Sequence, residues 1–148
     1  MTLSDRVSGP GGFTGAAVVA GVCGWPIKHS RSPRIHNYWL RQYGIDGVYV
    51  PFAMPLEGAK DAIRTLPALG IRGMNVTVPN KEEAYNAMDE VDRWAQRLKA
   101  VNTIVVRDGL LHGANTDAFG FLESLREAHP GWRADAGPVV VLGAGGAA

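Results

Sequence analysis

Short, β-branched apolar runs alternate with helix-forming segments along almost the whole chain, and this alternation restricts the fold more than any other feature. Parallel strands cannot be joined by a tight turn. They need a crossover, usually a helix, and strand–helix alternation is its signature. The pattern predicts strands over 17–23 (AVVAGVC), 48–52 and 71–78. It predicts helices over 33–43, 56–66, 92–99 and 116–129, with a further short helix opened by Pro79. Ser32 suits the N-cap of the first helix, Pro33 its first position and Gly44 its stop. Leu56, Ala59, Ile63 and Leu66 share one stripe of the second. Asp108-Gly109 lies between apolar runs at 101–107 and 110–114, a strong two-residue hairpin signal. The expected architecture is α/β, a mainly parallel sheet with helices on both faces and one antiparallel hairpin.

A Pro/Gly-rich break (HPGWRADAGP) precedes a fresh apolar run at 139–142, expected to be the first strand of a Rossmann-type second domain. The expected organisation is a disordered leader over 1–17, a catalytic domain over 18–130, and a linker, strand and glycine-rich loop over 131–148. The leader lacks a basic n-region before a continuous apolar stretch, so no signal peptide is read. The longest apolar run, 16–22, is too short to span a bilayer. A formal net charge of +1 gives no reason to expect nucleic acid as a partner. The single cysteine, Cys23, lies in an apolar run and reads as core filler. No metal site is expected. These features fit a cytoplasmic protein.

Five clusters carry polar chemistry. In His29-Ser30-Arg31-Ser32-Pro33, Ser32 reads as the helix cap, while Ser30 and the free N–H groups of the helix start offer a seat for an anion. In Asn75-Val76-Thr77-Val78-Pro79-Asn80-Lys81, Asn75 must find partners if its strand is buried. Lys81 falls in the first turn of a helix, where the dipole opposes a cation. It is either a solvated surface lysine or one held for proton transfer. Asn102 is a polar residue at the start of an apolar strand, where solvation of the strand edge would account for it. In Asn115-Thr116-Asp117, capping by Asn115 or Thr116 leaves Asp117 free to face a lysine. Finally, 139–148 has a strand running into Gly143-Ala144-Gly145-Gly146-Ala147, the context of a dinucleotide-binding loop, which methyltransferases and flavoproteins share.

Taken in order, GWPIKHSRSPRIHN at 24–37, GMNVTVPNKEEA at 73–84, AVNTI at 100–104, GANTDAFGF at 113–121 and VLGAGGAA at 141–148 resemble shikimate dehydrogenase. The resemblance implies that Ser30 and Ser32 hold the substrate carboxylate and that Thr77 and Asn102 bind ring hydroxyls. It implies that Lys81 and Asp117 form the catalytic pair and that Gly143, Ala144, Gly145, Gly146 and Ala147 begin the NADP pyrophosphate loop. The implied reaction is the reversible NADP-dependent reduction of 3-dehydroshikimate to shikimate, in aromatic amino acid biosynthesis, by a monomer or homodimer. The 148 residues alone are expected to bind substrate without turning it over. A quinate/shikimate dehydrogenase and a non-catalytic shikimate-binding module are the alternatives. Asn80 stands where relatives often carry an aromatic residue.

Overall fold

The computed structural model describes residues 12–142. Six strands form one sheet: β1 (Val18–Gly24), β2 (Gly47–Ala53), β3 (Ile71–Val76), β4 (Glu90–Val91), β5 (Thr103–Arg107) and β6 (Leu110–Ala114), in the order β2-β1-β3-β5-β6-β4. Five helices connect or follow them: α1 (Ser32–Gln42), α2 (Ala59–Arg64), α3 (Lys81–Ala87), α4 (Arg93–Leu98) and α5 (Asp117–Ala128). β1 pairs in parallel with β2 and β3, β4 with β6, and β5 alone runs against its neighbours β3 and β6. The expected mainly parallel sheet with one hairpin is the observed one. Asp108 (φ +50°) and Gly109 (φ +78°) both take the left-handed conformation that a two-residue hairpin turn requires.

Helices cover both faces. On one, Ile63 and Leu66 from α2 and the turn after it, Ala84 and Ala87 of α3, and Ala95 of α4 pack with Cys23, Met74, Val76, Ile104 and Leu111. On the other, Leu40 of α1 packs with Val22, Ile27 and Tyr49. Asn37 clamps α1 to the sheet: its amide nitrogen donates to the Tyr49 carbonyl at 2.7 Å and its oxygen accepts the Tyr49 N–H at 3.0 Å. A bulge near Arg72 shifts the β1–β3 register. The extra residue reverses the alternation, so Met74 and Val76 enter the core while Asn75 lies on the α1 side.

Several boundaries differ from expectation. α2 is shorter than 56–66 because Gly58 (φ +76°) interrupts the helical backbone before it; Leu56 is half exposed, whereas Ala59, Ile63 and Leu66 are buried. β4, two residues long, carries no alternation to read. The run at 139–142 is not a strand: its four side chains are 62–96% exposed, and an isolated strand has no ladder partner. Thr14, inside the span expected to be a disordered leader, donates its N–H to Asp46 Oδ1 at 3.0 Å and its hydroxyl to Oδ2. Residues 1–11 and the glycine-rich stretch 143–148 lie outside the described residues. Among the described residues, no helix is long and apolar enough to cross a membrane.

Candidate active site

The sheet register aligns Gly24 with Ala53, Cys23 with Val76, Asn75 with Thr103, and Thr103 with Ala114. The carboxyl ends of β1, β2, β3 and β6 and the start of β5 therefore share one rim, the edge where open α/β sheets gather their ligands. All the candidate substrate-binding and catalytic residues lie on segments meeting this rim. Ser30 and Ser32 follow β1, Thr77 and Lys81 follow β3, Asn102 precedes β5, and Asp117 follows β6.

The first two segments are held together at the backbone. The Thr77 N–H donates to the Cys23 carbonyl at 2.9 Å, and the Trp25 N–H to the Val78 carbonyl at 3.0 Å. Gly24 permits this approach. A Cβ there would sit 2.5 Å from Thr77 Cγ2 and 2.9 Å from the Val78 oxygen, closer than carbon atoms tolerate. At the start of α1 the capping differs from expectation. Ser32 is the first helical residue, followed directly by Pro33, and Arg31 occupies the cap position without a side-chain bond. It is Ser30 whose Oγ accepts the Ser32 N–H, at 3.3 Å. The helix begins one residue early because Arg31 already has helical dihedrals, so the serine two positions before the first helical residue reaches its N–H.

Asn80 is fully buried and donates from Nδ2 to the Met54 carbonyl at 2.8 Å, tying the start of α3 to the exit of β2. The next residue is Lys81. Its side chain is only 17% exposed, which rejects the solvated-lysine reading. Its backbone carbonyl accepts the Val101 N–H at 2.9 Å, so the α3 start is also bonded to the segment carrying Asn102. Lys81 Nζ lies 2.6 Å from Asp117 Oδ2, a charge-assisted hydrogen bond across 36 residues of chain. The Asp117 side chain is 54% exposed, so the pair has one member set in the wall and one open to whatever occupies the rim.

Asn115 places Asp117. It is buried, donates from Nδ2 to the Ala100 carbonyl at 3.0 Å, and accepts with Oδ1 from the N–H groups of Asp117 (3.0 Å) and Ala118 (3.4 Å). This is the capping role expected of Asn115 or Thr116, and it leaves the Asp117 carboxylate free for Lys81. Asn102 is also buried rather than solvated at a strand edge. Its Nδ2 donates to Thr116 Oγ1 at 2.9 Å, and its Oδ1 accepts the Thr116 N–H at 3.1 Å and the Thr103 hydroxyl at 2.9 Å. Asn75, partly buried, finds partners in Tyr49 (2.7 Å) and Thr103 (3.4 Å). Burial pushes the Tyr49 phenol up to about 12, with a smaller push from the Cys23 thiol, so it stays protonated at neutral pH. Tyr49 carries no sequence signal for this role, since an aromatic in a strand reads as core.

A groove of about 320 Å³ lies beside this rim, lined among others by Glu90, Thr103, Arg107 and His112. Neither Lys81 nor Asp117 lines it, so the polar constellation, not this groove, marks the candidate site. Among the described residues, no cluster of His, Cys, Asp or Glu suits a metal ion. The segment Gly143–Ala147, expected to meet a cofactor, lies outside the described residues.

Residues 22–104 match the family known as the shikimate dehydrogenase substrate binding domain. The shikimate dehydrogenase (NADP(+)) of Rhodospirillum rubrum is 60% identical over 137 residues, which cover 92% of this chain and 48% of that protein. That of Paramagnetospirillum magneticum is 54% identical over the same share of this chain and 50% of its own. The chain thus spans about half the length of the curated relatives it matches. The crystal structure of shikimate 5-dehydrogenase from Thermus thermophilus in complex with shikimate superposes with a TM-score of 0.74 at 42% identity, covering 88% of this chain and 49% of that one. A domain match over more than half the residues shows that the chain belongs to the shikimate dehydrogenase family, through its substrate-binding domain.

Proposed function

We propose that the chain is the substrate-binding part of an NADP-dependent shikimate dehydrogenase, which interconverts 3-dehydroshikimate and shikimate. The observation that carries this reading is the 2.6 Å contact between Lys81 Nζ and Asp117 Oδ2 on the rim of the sheet. An ammonium held by a carboxylate can deliver a proton to a ketone oxygen and recover it from the resulting hydroxyl. NADPH, when bound, supplies the hydride, and Gly143 to Ala147 are the residues that would meet its pyrophosphate. In the reducing direction Lys81 gives its proton to the substrate oxygen as that oxygen gains charge. Asp117 keeps the ammonium aimed and stabilises it whenever it is charged.

The remaining residues orient the ring. Ser30 and Ser32, at the start of α1, receive the carboxylate, where helix N–H groups and hydroxyls favour an anion. Thr77 and Asn102 take ring hydroxyls. Such fixing of the substrate is how an enzyme that borrows its redox chemistry contributes to rate. On this reading the ligands are small molecules and the protein acts as a monomer or homodimer. Its single buried thiol suits the reducing cytoplasm.

Two measurements test it. Calorimetric titration with shikimate should give a saturable heat at millimolar ligand, weakened roughly tenfold or more in Ser30→Ala, the range for losing a hydrogen bond to a charged group. Absence of any heat removes the substrate assignment. Fused to the remaining length of the Rhodospirillum rubrum relative, the chain should reduce 3-dehydroshikimate with NADPH. Lys81→Met should then lower kcat by about 10² or more with little change in KM. Near-normal turnover removes Lys81 from proton transfer.

A further inference from the structure

A line of hydrogen bonds crosses the α1 side of the sheet and ends at the candidate site. It starts with the Tyr49 hydroxyl on β2, which donates to Asn75 Oδ1 on β3 at 2.7 Å. Asn75 Nδ2 donates to Thr103 Oγ1 on β5 at 3.4 Å, and the Thr103 hydroxyl donates to Asn102 Oδ1 at 2.9 Å. Asn102 Nδ2 then reaches Thr116 Oγ1 at 2.9 Å, next to Asp117.

The direction of this line is not free. The Thr116 N–H, 3.1 Å from Asn102 Oδ1, can only donate, so that end of the Asn102 amide must be the oxygen. Thr103 has one proton. If it is spent on Asn102, Thr103 must accept from Asn75, which makes the Asn75 end facing Tyr49 an oxygen and requires Tyr49 to donate. Each bond therefore sets the polarity of the next. The far end is mechanically fixed as well. The Tyr49 ring stacks on His36 at 4.1 Å between centroids and 9° between planes, and His36 Nδ1 lies 2.9 Å from the carbonyl of Ser32.

We infer that Tyr49 is a positioning residue: by holding the Asn75 oxygen it keeps Asn75 donating to Thr103, so that the Thr103 proton stays on Asn102 Oδ1 and the Asn102 side chain is held in the pose a substrate hydroxyl meets. Tyr49 stands on β2, with β1 and β3 between it and the β5 end that presents Asn102. This inference rests on the proposed assignment of Asn102 to a ring hydroxyl for its functional consequence, but the coupling itself needs no ligand. Without the phenol, Asn75 loses the donor that holds its oxygen and is free to turn over. Thr103 is then met by an acceptor instead of a donor, and its proton is drawn away from Asn102.

The test uses the chain as it is. Tyr49→Phe keeps the ring and its stack on His36 and deletes one hydroxyl. In the ligand-free protein, the Asn102 side-chain amide signals in a ¹⁵N–¹H correlation spectrum should shift and broaden. Shikimate affinity should fall about threefold to tenfold, the value of one hydrogen bond. Thr103→Val should reproduce both effects and Thr103→Ser, which keeps the hydroxyl, should restore them. Asn102 signals unmoved in Tyr49→Phe, or Thr103→Ser behaving like Thr103→Val, overturn the inference, because a tyrosine that only packs would change melting without touching a distant amide. A wild-type chain that binds no shikimate would sink the substrate reading and leave the amide test to decide the coupling.

Discussion

Asn115 offers the sharpest test of how the site is held. Its side chain makes three hydrogen bonds: one donated to the Ala100 carbonyl at 3.0 Å, and two accepted from the Asp117 and Ala118 N–H groups at 3.0 and 3.4 Å. Asn115→Ala removes all three. Losing the cap of α5 costs about 1 kcal/mol. Stranding a carbonyl in the buried Ala100 region adds about 1–3 kcal/mol. The expected loss is therefore about 2–4 kcal/mol, or a fall in Tm of roughly 10 °C for a domain of this size. Asn115→Ser restores a capping oxygen but is too short to reach Ala100, so it should recover about 1 kcal/mol of that loss. Urea unfolding read by fluorescence measures both, with an unchanged m-value showing that only stability moved. Because α5 begins at Asp117, a frayed first turn also loosens the Lys81 contact, and shikimate affinity should fall in Asn115→Ala under fully folded conditions and recover in part in Asn115→Ser. A loss below about 0.5 kcal/mol in Asn115→Ala, or no gain from serine, would refute the account of Asn115 as the anchor of the carboxylate.

Two further outcomes follow from buried and bonded groups elsewhere. Burial pushes the Cys23 thiol up to about 12, so at pH 8 the native chain should resist disulfide reagents and react stoichiometrically only once unfolded; rapid labelling of the folded protein would contradict this. The Leu111 N–H, at 2.8 Å, together with Arg64 at 3.2 Å, holds the Asp89 carboxyl below the usual carboxylate range. Its folded value lies under its unfolded one, so the stabilisation is complete above about pH 4 and is lost as pH falls through the folded value. Asp89→Asn should flatten that part of the acid limb of a stability–pH curve, and an unaltered limb would remove Asp89 from the account.

Much of the fold was legible along the chain because its signals are local. Alternating strand and helix patterns, the Asp108-Gly109 turn and the Pro33 helix start all depend on neighbours a few residues away. The failures have equally specific causes. Gly58 takes a left-handed conformation that cuts α2 short, which no periodicity of Leu56, Ala59, Ile63 and Leu66 reveals. The apolar run at 139–142 has the composition of a strand, but a strand exists only with a partner to bond. At the site, Ser30 and not Ser32 bonds the N–H at the helix start, because one residue's dihedral angles, those of Arg31, moved the start of a helix.

What the residues alone determined is the inventory: a lysine at a helix start, an aspartate after a capping asparagine, two serines before a proline, asparagines in apolar strands, each odd enough in its place to demand a reason. What the tertiary structure decided is their meeting. Lys81 and Asp117 lie 36 positions apart and touch only because β3 and β6 both run toward the same rim, with β5 reversed between them. The linkage from Tyr49 to Asn102 likewise exists only through sheet register, since a hydrogen bond depends on distances of a few ångströms and strand order sets those distances across long stretches of chain.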